Sequence, residues 1–308
     1  MKFAVLRAVG LLLAFSAGSC LPALHAYSWL IRCGLIYMLF VVFLRIEPSR
    51  KMLHWSQLFS VAFNIFFAFS LWQLFLYAGE EELARVAFFT AITPTATAAA
   101  VIVSLIGGNV TYTVTTFILS TLCITCSLPL LIPLVVGNPT PGLTQHVLLR
   151  VLSVTLIPLT AALLLRRVSK PTAMKLGERL SMSTFYTWIG LIILIAAQAR
   201  HFLDQQAQIP WVLLGTITLL SLAICAINFL IGYLLGRPQY GLECSQALGQ
   251  KNNSYTVDLA LTYATPLVAL GPTIYVLWHN LWNAWQLYRH DKRVLDKKNE
   301  PSSSSIRA

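Results

Sequence analysis

Long apolar runs separated by short polar turns govern this chain from end to end. A membrane-spanning helix needs about 20 mostly apolar residues, and ten stretches meet or approach that length. They are Phe3 to Leu21, Ser28 to Leu44, Leu53 to Tyr77, Leu83 to Gly108, Thr111 to Val135, Val147 to Leu165, Ser183 to Phe202, Trp211 to Leu235, Tyr240 to Tyr263 and Leu267 to Leu287. Two of them are interrupted. The fourth carries Thr93-Pro94-Thr95, and the ninth carries Gln250 to Asn253.

The interruptions fall in the fourth place of two groups of five spans, residues 1–137 and 146–289. An odd number of spans per group inverts the second relative to the first. The pattern predicts an all-α polytopic membrane protein of ten helices, built as two inverted five-helix repeats in a single transmembrane domain. Interrupted segments in matching places of two halves point to a transport site near the bilayer midplane. Where a membrane helix breaks, its freed N–H and C=O groups must line an enclosed or watery cavity. Thr93, Thr95, Thr97, Asn252, Asn253 and Ser254 supply side-chain polarity for one. Residues 290–308 form a basic, serine-ended tail that reads as disordered.

Composition agrees. Hydrophobic residues make up 57% of the chain and charged ones 11%, against about 25% charged in soluble domains. So few charges could not cover a soluble globule of this size. The net charge of +11 would suit nucleic acid, but its distribution does not. Basic residues gather in Arg45 to Lys51, Arg166 to Arg179, Gly236 to Tyr240 and the tail, while the alternate loops are poor in them. This is the positive-inside pattern. It predicts both termini in the cytoplasm and leaves no domain for nucleic acid. The short loops point to a bacterial inner membrane. Met1 to Ala26 also reads as a signal peptide, with Leu24-His25-Ala26 as a cleavage site; the even span count favours retaining it.

Candidate chemistry is sparse. Cys123 and Cys126 form a CxxC, which on a membrane helix only sets two small residues on one face. No metal or other cofactor is implied. No nucleophile–base pair or paired acids stand at useful spacing, so an enzyme is not expected. Asn109-Val110-Thr111 and Asn252-Asn253-Ser254 match the glycosylation pattern, but lie at an inner turn and inside a span. Trp278, Trp282, Trp285 and Tyr288 recur at helical spacing and read as an interfacial belt. Lys251 stands out, because a charge at mid-span is disfavoured by roughly 2.5–3.5 kcal/mol on insertion scales. Glu243 and Asp258 flank it at distances that share a helical face. His279 is a further candidate relay. The plainer alternatives are a snorkelling Glu243 and a His279 bonded to a carbonyl.

The stretch from Glu81 to Pro133, which contains TPTATAAAVIVSLIGGNVTYTV, resembles the fourth and fifth helices of the bile acid:sodium symporter family, where PGGTASN is usual. ALGQKNNSYTVDLAL resembles that family's ExGxQN signature on the ninth helix, and VLWHNLW its tenth. The resemblance implies a core domain with two crossing broken helices that shifts against a panel domain in alternating access. It also implies a sterol-like acid or small carboxylate as substrate.

The implied ion contacts depart from the family pattern. Its Ser-Asn pair falls on Ala99 and Ala100, and its fifth-helix hydroxyls on Thr113 and Phe117. The acid that opens ExGxQN falls on Ala247, the glutamine on Lys251 and the asparagine on Asn252. Asn64 lies near the place of a third-helix polar ligand. Hard cations need oxygen ligands and compensating negative charge, so a site of this composition is not expected to hold sodium. The expectation is a sodium-independent secondary transporter of an organic anion, with contacts among Thr95, Thr97, Ala99, Ala100, Thr113, Lys251, Asn252 and Asn253 and no metal. Lys251 has three open roles: it stands in for sodium, it exchanges a proton during transport, or it bridges helices through Glu243 or Asp258. A non-transporting sensor with the same fold, or a sodium symporter with altered ligands, are the alternative functions.

Overall fold

The computed structural model describes residues 10, 13–45, 53–137, 142–205 and 210–299, and these are helical with no strands. The first helix, α1, runs over 13–20 and is followed by a 3-10 turn at Pro22–Tyr27. Then come α2 (Trp29–Arg45), α3 (Trp55–Tyr77), α4 (Glu81–Ala91), α5 (Ala98–Leu105), α6 (Val110–Val136) and α7 (Leu143–Val168). The second half holds α8 (Lys170–Arg179), α9 (Ser181–Gln205), α10 (Trp211–Gly236), α11 (Gly241–Gly249), α12 (Asn253–Tyr263) and α13 (Pro266–Asn299). Among the described residues, five helices are long and apolar enough to cross a membrane: α3, α6, α7, the Ser181–Gln198 part of α9, and α10. Large apolar side chains on them face outward, among them Phe66 at 69% and Leu130 at 72% exposure, as lipid contact requires.

Local chemistry sets the helix ends. The Asn109 side chain accepts from Tyr112 N (3.0 Å) and opens α6, which closes at Gly137 in the left-handed region (φ 76°). At α3, His54 and Gln57 form a reciprocal cap. The helices pack in two groups. One joins α2, α7, α8, α9 and the 3-10 turn; the other joins α3 to α5 with α10 to α13; α6 packs against both, most extensively against α7.

Three expectations are corrected. Lys170–Arg179, read as loop, is a helix: Ser169 caps it, and Ala173 and Gly177 are buried. A Cβ on Gly177 would lie 2.5 Å from Arg45 Cγ, so this short helix is seated on the end of α2. The tail read as disordered from residue 290 stays helical to Asn299, consistent with the good helix formers in that segment; residues 300–308 lie outside the described ones. Part of the first apolar run, residues 3–9 with 11 and 12, also lies outside them. Third, the aromatic belt is partly interior. Trp278 Nε1 donates to Thr218 O (3.2 Å) and Trp282 stacks on Phe229 (4.9 Å), while Trp285 and Tyr288 are exposed.

Candidate functional site

Both interruptions are real breaks in helical geometry, and they meet. Residues 92–97 separate α4 from α5, and residues 250–252 separate α11 from α12. Asn253, expected within the second break, is the first residue of α12. The two segments run antiparallel and pair at Thr95 and Lys251. Ala96 N donates to Gln250 O (2.7 Å), and Asn252 N donates to Pro94 O (2.8 Å). Each break therefore satisfies part of the other's backbone.

A broken helix inside a membrane must have its last carbonyls satisfied, and at the end of α4 the partners can be named. Phe88 O accepts from Ile92 N (2.9 Å). Phe89 O and Thr90 O accept from the Thr93 hydroxyl. Ala91 O accepts from Lys251 Nζ (3.1 Å). Ile92 O and Thr93 O accept from Asn64 Nδ2 (3.4 and 3.1 Å). At the end of α11, Ala247 O accepts from the Thr95 hydroxyl (2.6 Å) and Gly249 O from the Tyr275 hydroxyl (2.7 Å). Thr95 N donates to Ser120 Oγ (3.2 Å) on α6. Thr95→Val is expected to leave the buried Ala247 carbonyl without its donor and to destabilise the protein by about 1–3 kcal/mol. A lower melting temperature in detergent checks this; an unchanged one refutes it.

Lys251 lies at the centre, 2% exposed. Its Nζ donates to Asn64 Oδ1 and to Ala91 O. Both acceptors are neutral. The second belongs to the C-terminal end of α4, where unsatisfied carbonyls carry partial negative charge. The bridge through Glu243 or Asp258 is not what the structure contains, since neither carboxylate is a hydrogen-bond partner of Nζ. Glu243 is not snorkelling either. It is buried, and its Oε1 accepts from Asn109 N (2.7 Å) at the start of α6. Asp258 is buried on α12.

The helix starts face the same junction. Thr97 caps α5 without a side-chain bond, and Ala99 and Ala100 form its first turn. Asn252 caps α12, also without one. The backbone N–H groups of Ala98, Asn253 and Ser254 have no protein acceptor among the described residues. Asn253 Nδ2 reaches Lys251 O (3.3 Å) and His279 Nδ1 (3.4 Å), so His279 is drawn to the second break; Asn253 Oδ1 is buried without a partner. Thr113 is buried on α6, and its hydroxyl turns back to Asn109 O (3.4 Å), apart from this network.

A narrow cavity adjoins the start of α12. Ser254 and Thr273 provide its hydroxyls, and Phe15, Ile192, Ile195 and Val276 much of its apolar lining. It lies between α1 and α9 on one side and α12 and α13 on the other. Among the described residues, no three His, Cys, Asp or Glu side chains come close enough to hold a metal ion.

Sequence reasoning valued Asn64 only as a loose positional match, yet it is the first partner of Lys251. Ser120, Thr256 (whose hydroxyl meets that of Thr93 at 2.8 Å) and Tyr275 were missed. Each is a single hydroxyl on a helix face, with no local pattern to mark it.

Residues 32–206 match the Sodium Bile acid symporter family. Over 222 residues the chain is 24% identical to a Bacillus subtilis (strain 168) protein described as "Uncharacterized sodium-dependent transporter YocS". That match takes in 69% of this chain and 66% of the relative, just under two thirds of the relative's length. The family match ends before α11, so Lys251 lies beyond it.

Proposed function

Because the chain belongs to the sodium bile acid symporter family, we propose that it is a secondary transporter that moves a small organic anion by alternating access without sodium. The observation that carries this reading is the junction of the two breaks. There the N–H groups that open α5 and α12 lack protein acceptors, and a buried lysine stands with only neutral partners. Helix N-termini and an ammonium both favour negative charge. Asn253 Oδ1, buried without a partner, is an acceptor for a substrate hydroxyl.

Sodium is disfavoured on the same geometry. Lys251 Nζ already takes two oxygens that a cation would use, Asn64 Oδ1 and Ala91 O. Ala247 has no side-chain oxygen, and its carbonyl is engaged by Thr95. A hard cation at this place would find these oxygens taken and an ammonium beside it. In this reading the ten spans form two inverted repeats with cytoplasmic termini, and the group holding the breaks shifts against the group of α2, α7 and α9. The name of the Bacillus relative speaks for sodium coupling, and one experiment decides. In proteoliposomes, uptake of labelled organic anions should be unchanged when sodium is replaced by potassium. A clear sodium requirement overturns the proposal. Binding without accumulation would mark a sensor instead.

A further inference from the structure

One face of α13 is polar from the middle of the helix toward its end. Tyr275, His279, Asn283 and Gln286 recur there at helical spacing, and each meets another polar side chain. Asn228 Nδ2 donates to the Tyr275 hydroxyl (3.3 Å). Asn253 Nδ2 donates to His279 Nδ1 (3.4 Å). Asn283 Oδ1 accepts from Gln246 Nε2 (3.1 Å), and its Nδ2 donates to Gln250 Oε1 (2.8 Å). Gln286 Oε1 also accepts from Gln246 Nε2. We propose that this face borders a water-filled seam inside the group of helices that holds the breaks, and that the seam carries water from the Gln286 end of α13 to the second break.

Amides can serve simply as glue between helices in lipid. A dry glue satisfies its own atoms, and this one does not. Asn228 Oδ1 beside Tyr275, Asn253 Oδ1 beside His279, Gln246 Oε1 beside Asn283, and Trp282 Nε1 on α13 itself are buried without a partner. Gln246 and Asn228 are 0% exposed. Unpartnered polar atoms are costly in a low-dielectric interior, and buried waters that bond several such groups relieve that cost. The packing leaves a place for them. Among the described residues, α11 packs closely on α10, α6, α5 and α3, whereas long amide side chains tie it to α13.

Tyr275 to Gln286 covers about 16 Å along the helix, roughly half the apolar thickness of a bilayer. The seam therefore joins the middle of the protein to one surface. Gln286 is half-buried at its mouth, and Arg289 is exposed and lies over the Trp285 ring (4.8 Å) where α13 leaves the apolar layer. Thr273, Val276 and Leu277, which line the cavity beside Ser254, fall on another face of α13. That cavity lies between the two groups of helices and changes as they shift. The seam lies among α10 to α13, within one group, and stays wet in either orientation. When an anion leaves the junction, water from the seam takes Asn253 Oδ1 and the open N–H groups of α12. This last step rests on the reading that an anion binds there; the seam does not.

The test is X-ray radiolytic hydroxyl labelling of the intact protein in lipid nanodiscs, read by mass spectrometry. Heavy-oxygen water is mixed in shortly before exposure, and no cargo is added, so the outcome is independent of what the protein transports. Radicals form on water in place, and a buried side chain is labelled only where water stands beside it. His279 and Trp282 should be labelled and carry the heavy oxygen, while Trp72, 6% exposed in the apolar core, should not. His279 and Trp282 as inert as Trp72 overturn the proposal. Gln286→Leu places an apolar side chain at the mouth and should lower His279 labelling to the level of Trp72. Asn283→Leu blocks the seam one turn further in and makes the same comparison if the first variant does not fold. His279 labelling that persists in a folded variant shows that water arrives through the cleft between the groups, and overturns the seam as its route.

Discussion

Replacing Lys251 by glutamine is expected to reduce anion uptake by about 30- to 1,000-fold while the protein still folds. The loss of a charge–charge attraction sets the size of the effect. Two unit charges about 4–8 Å apart interact by roughly 2–4 kcal/mol at an effective dielectric of about 20, and each 1.4 kcal/mol is about tenfold. Glutamine keeps a polar group near Asn64 and Ala91 O but supplies no positive charge to the anion. It restores the residue type that the family resemblance places there, yet Ala247 still lacks the acid. Sodium should therefore not rescue the variant. The measurement is initial uptake in proteoliposomes at matched protein incorporation. Normal uptake by a well-folded Lys251→Gln would show that the ammonium only ties α3, α4 and α11 together, and would remove the basis for an anion site.

The largest structural effect is expected from Gly232→Val on α10. A Cβ at Gly232 would lie 2.6 Å from Cys244 O and 2.8 Å from Ser245 Cα. These are backbone atoms and cannot swing aside, so α11 would be pushed off α10. The same face holds the second break in place: the Ser245 hydroxyl donates to Phe229 O (2.7 Å), and the Phe229 ring lies where a Cβ on Gly249 would come within 2.4 Å. Overpacking of a core typically costs about 1–3 kcal/mol, and here the backbone has no slack. Gly232→Val should unfold at a markedly lower temperature in detergent or fail to yield a monodisperse protein. Gly215→Val is the matched control, because a Cβ on Gly215 of the same helix meets no atom within 4 Å. Equal melting curves for the two variants would refute the close α10–α11 contact.

Much of this was legible in the residues. Apolar runs of span length are a one-dimensional signal, because lipid demands an apolar side chain on almost every lipid-facing turn. Pro94 and the polar run from Gln250 to Asn253 marked the breaks for the same reason: neither suits an uninterrupted membrane helix. What escaped was pairwise. Lys251 and Asn64 are 187 positions apart, and Thr95 and Ser120 are 25. Nothing in either local stretch specifies its partner. The aromatic positions on α13 show the same limit, since spacing put Trp278 and Trp282 on a belt and the packing of α10 turned them inward.

The amino-acid sequence by itself determined that the chain is an apolar helical protein with two breaks, one of which carries an expensive lysine. Period, length and composition are properties of single segments, and the bilayer reads them one segment at a time. Only the tertiary structure decided what the lysine touches. The ends of α4 and α11 each leave carbonyls that must be satisfied, and the two breaks can do so only by lying against each other, with α3 and α13 supplying the rest. That shared need for partners places Lys251 at the carbonyl end of one half-helix, with the open N–H groups of α5 and α12 at the same junction.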